Sequence, residues 1–210
     1  MHVFRVPSWI QALFPQAIWR LPSPEACVYL TFDDGPHAEI TTWVLNLLDQ
    51  YQAKAHFFVV GNNARQWPEL CQDILDRGHG LGSHTFHHRN GWRSETSQFY
   101  ADILEGHRSH PKMGSYFRPP HGRIKPKQAR WLRQNGFQLV MWDLLSGDYN
   151  SKLSSDRILW QLKRKTRSGS LVVFHDSSKA EAHLREVLPA YLTWLTQQGY
   201  TCLPLPHDRD

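Results

Sequence analysis

The sequence predicts an α/β domain in which parallel strands alternate with helices. Three observations point that way. Short apolar, β-type runs recur along the chain, amphipathic stretches of helical periodicity separate them, and glycines close several of those stretches. Alternation of this kind produces a parallel sheet covered by helices. Runs such as "CVYLTF" and "AHFFVV" are apolar without a polar alternate, as strands covered on both faces are. A (β/α) barrel and an open doubly wound sheet both satisfy the pattern.

Residues 1–25 are apolar only in patches, interrupted by Pro7 and Pro15. They read as a cap segment packed on the underside of a single domain spanning 26–207. With no continuous apolar core and no clear A-x-A site, the segment reads as mature protein rather than a signal peptide. Trp9, Leu13, Phe14 and Trp19 are expected to be buried against the domain, with contact at a membrane surface as the alternative.

The first strand is "CVYLTF" (27–32), followed by a helix near 40–51 with Thr41 and Thr42 as candidate caps. "AHFFVV" (55–60) is the second strand, and a helix near 64–77 follows, with Pro68 in its early turns. Gly78 then suits a left-handed helix C-terminus. "GLGS" (80–83) is a weaker strand, followed by a helix near 95–109. "SYFRP" (115–119) leads to a helix near 126–135 closed by Gly136, and "FQLVMW" (137–142) follows. A helix near 156–167, the strand "SLVVF" (170–174), a helix near 183–198 closed by Gly199, and "YTCLPL" (200–205) complete the chain.

The 210 residues suffice for one domain with a sizeable core, and 40% hydrophobic with 20% charged residues is ordinary for a globular protein. The net charge of +5 is too mild to imply a polyanion. Its densest basic run, "LKRKTR" (162–167), reads as a solvated helix face, so no nucleic-acid partner is expected. Cys27, Cys71 and Cys202 are scattered and lack CxxC spacing, which argues against a disulfide scaffold or a cysteine zinc site. No run is long enough to span a bilayer. The expected location is cytoplasmic or peripherally membrane-associated.

In either architecture, function gathers at the carboxyl ends of the strands. Asp33 and Asp34 follow the first run, His84 the third, Arg118 ends the fourth, Asp143 the fifth and His175 the sixth. His84 and His88, four apart, would share one face of a helical turn; His84 and His87, three apart, are the rival pair. Two histidines and a carboxylate leave positions open on a catalytic metal. One of Asp33 and Asp34 would serve as ligand and the other as general base, the Gly35-Pro36 turn letting adjacent residues do both. The plainer alternative is an Asp capping the next helix.

The segments "TFDDGP", "HTFHH", "RPPHG", "WDLLSGDY" and "VVFHD" resemble, in order and rough spacing, the five motifs of polysaccharide deacetylases, the NodB-homology domain of carbohydrate esterase family 4. The resemblance runs from about Val28 to Leu205. It implies a distorted (β/α) barrel of seven strands. The implied activity is hydrolysis of N-acetyl, sometimes O-acetyl, groups on an acetylated glycan, using a divalent metal. Zinc is the ion expected, cobalt or nickel also suiting the donors. By resemblance, Asp33 is the general base, Asp34, His84 and His88 bind the metal, Arg118 pairs with Asp33 and orients it, and His175 is the general acid. A backbone N–H near His121 would help hold the oxyanion.

Several positions depart from the family pattern. Thr85 replaces a serine, His121 a tyrosine, Tyr149 a tryptophan and Val172 a leucine. Leu145 stands where the aspartate that holds the acid histidine belongs, while Asp148 matches the second aspartate of that motif. Asp143, two residues earlier on the same face of an extended strand, is expected to orient His175 instead, with Asp148 and Asp176 as alternatives. His56 has no expected role beyond packing or narrowing the pocket. Tyr149, with Trp92 and Trp142, is a candidate for stacking on sugar, and Lys179 and His183 for the rim. The rival functions are a small-molecule amide hydrolase on the same scaffold, a non-haem Fe(II) oxygenase, and a catalytically silent glycan-binding protein. Product acetate, bound metal and the effect of Asp33→Asn separate them.

Overall fold

The computed structural model describes residues 4–23 and 25–206. The outer ends of the expected cap (from 1) and domain (to 207), with Pro24, lie outside the described residues. The elements are α1 (Ser8–Gln11), β1 (Cys27–Asp33), α2 (Ala38–Gln50), β2 (Ala55–Val59), α3 (Gly61–Gln66), α4 (Pro68–Asp76), β3 (Gly80–Ser83), α5 (Thr96–His107), β4 (Tyr116–Phe117), a 3-10 turn (Pro120–Gly122), α6 (Pro126–Gln134), β5 (Gln138–Leu139), β6 (Leu144–Leu145), α7 (Ser155–Lys165), β7 (Ser170–His175), α8 (Glu181–Gln197) and β8 (Thr201–Cys202).

Every strand pairing is parallel. The order is β5-β4-β3-β2-β1-β7-β6, with β8 on β1. Because β5 and β6 are consecutive pieces of one bent run, the sheet returns on itself. Val140 N–H donates to Phe117 at the start of that run, and Asp143 N–H to Leu171 near its end. A strand at β4's edge thus becomes a strand at β7's edge within six residues. Counted as one run, β5 and β6 give the seven strands of the expected distorted barrel. The strand at Leu144–Leu145 lies beyond the predicted 137–142, a consequence of the bend between the two pieces.

β1 is buried along its whole length, as expected of a doubly covered strand. Phe32 stacks between Phe57 and Phe174, with ring centroids 5.0 and 6.0 Å away, and α2, α4, α7 and α8 cover this layer. The helix predicted over 64–77 is two helices, broken where Pro68 opens α4. Neither predicted threonine caps α2. His37 is the cap, its Nδ1 accepting from Ile40 N–H, while Thr41 Oγ1 accepts the His37 N–H. Cys27, Cys71 and Cys202 are free and buried.

The N-terminal segment runs alongside the bent run. Leu145 N–H donates to Phe4, Ile18 N–H to Leu139, and Met141 N–H to Ile18. Phe4 and Trp19 are buried and Phe14 packs against the core, but Trp9 and Leu13 are 68% and 65% exposed, which corrects the expectation that all would be covered. Among the described residues, no helix is long and apolar enough to cross a membrane.

Candidate active site

Asp33 is the last residue of β1, and its register partner on β7 is His175. Asp34 follows in left-handed backbone (φ +79°), which turns the two adjacent side chains to different tasks. Asp33 Oδ1 accepts from Arg118 Nη1 at 2.6 Å. Asp34 Oδ1 lies 3.0 Å from His88 Nε2 and 3.7 Å from His84 Nε2. Burial alone would raise the Asp34 carboxyl, but its hydrogen bond with His88 and the nearby His175 and His84 hold it well below the usual carboxylate range.

The His84 and His88 pairing is reached by a route other than the expected helix. Residues 84–90 form an irregular loop, with Thr85 and His88 in left-handed backbone (φ +65° and +56°). His84 Nδ1 lies 2.8 Å from the Arg118 carbonyl. A carbonyl only accepts, so Nδ1 carries the proton and Nε2 is left as the donor atom for a cation. Burial pushes the His84 ring down to about 4, so the neutral, ligating form prevails. The rival His87 turns away, its Nδ1 2.6 Å from Asp102 Oδ1. Asp102, buried on α5, also accepts from Arg89 Nε and the Phe86 and His87 amides and so braces the loop. It was missed in the sequence, where an acid beside Phe99 and Ile103 on the apolar face of that helix was the available signal.

The ligating atoms of Asp34, His84 and His88 lie within 4.8 Å of one another. Two imidazole nitrogens and a carboxylate oxygen suit zinc, cobalt or nickel, so the donor set fits a catalytic divalent cation.

Arg118 is fully buried. Besides Asp33 it donates to Thr31 Oγ1 at 2.8 Å and the Met141 carbonyl at 2.9 Å, and its Cζ sits 4.1 Å from the Phe58 ring centroid. It therefore ties β1 to the bent run while fixing the Asp33 carboxylate.

The structure corrects the assignment of Asp143. Its carboxylate accepts from Ser170 Oγ at 2.8 Å and Arg167 Nη2 at 3.1 Å and pairs with Arg5. Asp143 is level with Leu171, four residues before His175, or about 13 Å at ~3.3 Å per residue. The residue on His175 is Asp148. Its Oδ1 lies 2.8 Å from His175 Nδ1, and its Oδ2 accepts the His175 backbone N–H at 2.8 Å. Gly147 (φ +83°) makes the turn that brings Asp148 there. Burial alone would lower the His175 ring, but the Asp148 carboxylate reverses this and pushes it up to about 9. Asp176 faces the other way, accepting from Gly35 N–H at 3.1 Å and from Thr41 Oγ1, and burial lifts its carboxyl to about 7.

These groups open on a cavity of about 560 Å³, which Tyr149, Trp142 and His121 also line. The His121 ring stands 4.8 Å from that of His88, and Tyr149 packs edge-on to His175 at 5.1 Å. Trp92 is outside the lining, 58% exposed, its Nε1 donating to the Ile124 carbonyl. His183 is not at this mouth; it bonds Ser155.

A sequence model of the family described as polysaccharide deacetylase matches residues 20–140. A peptidoglycan-N-acetylglucosamine deacetylase of Bacillus cereus is 31% identical over 87% of this chain and 87% of its own. A chitooligosaccharide deacetylase of Azorhizobium caulinodans is 27% identical over 89% of this chain and 96% of its own. Among solved structures, that of a peptidoglycan N-acetylglucosamine deacetylase superposes with a TM-score of 0.86 at 28% identity, covering 96% of this chain and 95% of that one.

Proposed function

The chain belongs to the polysaccharide deacetylase family, and on that premise we propose that it hydrolyses N-acetyl groups of an amino-sugar glycan with a divalent metal, zinc first, held by Asp34, His84 and His88. One observation carries the reading. Adjacent carboxylates are divided between a cluster of metal donors and a buried arginine, which leaves Asp33 beside the cation site but outside its ligand set.

A cation bound there supplies Lewis acidity toward the acetamide carbonyl and the attacking water. Asp33, aimed by Arg118, takes the proton of that water. His175, which holds its proton at neutral pH, returns one to the departing amine nitrogen, a poor leaving group otherwise. Because Nδ1 is committed to Asp148, Nε2 is the atom left for that transfer. A backbone N–H near His121 steadies the oxyanion, and Tyr149 and Trp142 offer faces for the sugar ring. An Fe(II) oxygenase would have no use for the Asp33–Arg118 and His175–Asp148 pairs.

The test is acetate release from N-acetylchitooligosaccharides and peptidoglycan glycan strands, before and after chelation and after return of zinc, cobalt or nickel. Acetate that depends on metal supports the proposal. Hydrolysis undiminished in metal-free protein, or turnover of small amides alone, refutes it.

A further inference from the structure

Among the described residues, four large apolar side chains stand more than half exposed, and two of them, Trp9 (68%) and Leu13 (65%), lie four residues apart on the N-terminal segment. Ala12 and Pro15 beside them are exposed as well. The other apolar side chains of the segment are spent inward. Phe4 and Trp19 are buried, and Val6, Ile10 and Phe14 pack on the core cluster that includes Leu132 of α6. Packing within the fold therefore accounts for one side of the segment and leaves an apolar ridge on the other.

The ridge runs between two basic helices. On one side, Phe14 and Arg133 of α6 line a common cleft, and Lys127, Arg130 and Arg133 on that helix are exposed. On the other, Arg5 donates to the Lys165 carbonyl at the end of α7, and Arg20 Nε to the Ser168 carbonyl at 3.2 Å. These bonds set the basic run 162–167 beside the segment, with Arg164 and Arg167 exposed. Cations scattered on a surface decide nothing, but the placing of the acids does. Residues 1–24, 106–142 and 157–175 contain no aspartate or glutamate. These stretches supply the segment, α6 with its flanks, and most of α7 with β7, and the fold gathers them into one wall. Asp143 beneath it is buried and shared by Arg5 and Arg167. Glu25 stands exposed only at its margin, bonded through its carbonyl to Ser168, and Asp156 is at the opposite end of α7.

We propose that this wall docks the protein on an anionic lipid bilayer, with Trp9 and Leu13 entering the interface and the cations of α6 and α7 resting on headgroup phosphates. An exposed tryptophan with a neighbouring leucine suits the boundary between headgroups and acyl chains. Flanking lysines and arginines add attraction to anionic lipid, which salt screens. A second copy of the chain is a poor occupant, because self-pairing of this wall sets cations against cations. A polynucleotide would use the cations but leave the apolar ridge without a partner. The docking is independent of the deacetylase reading.

The full chain is sedimented with vesicles of phosphatidylcholine alone, and with vesicles that also hold about 30% phosphatidylglycerol, at low and high ionic strength. It pellets with the anionic vesicles at low salt, pellets little with the neutral ones, and is released as salt rises. In W9S/L13S, the lipid concentration that binds half of the protein rises by about tenfold or more. In R130Q/R133Q/R164Q it rises by about the same factor. All five side chains are exposed, so both variants keep the fold. Retention on heparin, a polyanion with no apolar phase, falls in the arginine variant and is unchanged in W9S/L13S. Failure of the wild-type chain to pellet with anionic vesicles at low salt overturns the inference. Equal pelleting of W9S/L13S and the wild-type chain overturns it too, and would mark the wall as a surface for polyanions of any kind.

Discussion

Asp148 grips His175 at two points, one carboxylate oxygen on the ring Nδ1 and the other on the backbone N–H, each at 2.8 Å. The grip sets both the direction of the ring and its affinity for a proton. The His175 value of about 9 lies above the ordinary 6.5, so the folded state binds this proton more tightly than the unfolded chain does. The pair's stabilising contribution is therefore complete below about pH 6.5 and is lost as pH rises through 9. The protonated form that the proposed mechanism requires disappears over the same upper range. In Asp148→Asn the histidine titrates at lower pH, the alkaline limb of kcat/KM moves down with it, and kcat falls by about 10²–10⁴. A divalent cation beside Asp34 also opposes protonation, so metal loading shifts the limb down as well. Histidine NMR titration and a pH–rate profile check both.

Asp143→Asn is the matched control. Its carboxylate is buried among Arg5, Arg167 and Ser170. Losing that charge destabilises the fold by about 1 kcal/mol, read by urea unfolding, because the Ser170 hydroxyl loses a charged acceptor while the part-exposed arginines turn to water. The alkaline limb of the pH–rate profile stays in place.

Asp33→Asn keeps stoichiometric metal while kcat drops by about 10²–10⁴, since the base is lost and the donor set is intact. Arg118→Met behaves differently. It leaves Asp33 buried without its partner and costs about 3–5 kcal/mol of stability in addition to activity. Arg118→Lys restores the charge but cannot serve Asp33, Thr31 and Met141 at once, so it recovers only part of either loss.

His88→Ala loses tight metal binding, whereas His87→Ala retains one equivalent, measured by elemental analysis after dialysis. Asp102→Ala falls between them. It removes the brace on the loop but no ligand, and so weakens metal affinity by about 10–100-fold.

The strands were legible because burial on both faces writes itself as an unbroken apolar run, as "CVYLTF" shows. Asp33, Asp34, His84 and Arg118 were legible as chemistry at strand ends. Register was not. Nothing local to "WDLLSGDY" states that Asp143 is level with Leu171, or that a left-handed Gly147 folds Asp148 back onto His175. The loop carrying His84 and His88 misled for a related reason. Spacing of four suggested a helical face, but Thr85 and His88 adopt backbone that helical periodicity does not describe. Caps failed likewise at α2, where His37 does what Thr41 and Thr42 were expected to do, because Thr41 is committed to Asp176.

The bent run from Gln138 to Leu145 is also the seam at which the barrel closes, joining the edge at β4 to the edge at β7. Phe4 and Ile18 lace that seam from outside through main-chain bonds. Asp33 and His175 stand side by side on β1 and β7. Deleting residues 1–20 would therefore slacken the wall that carries Met141 and leads to Asp148, while the two side chains proposed to exchange protons with the substrate stay in register with each other.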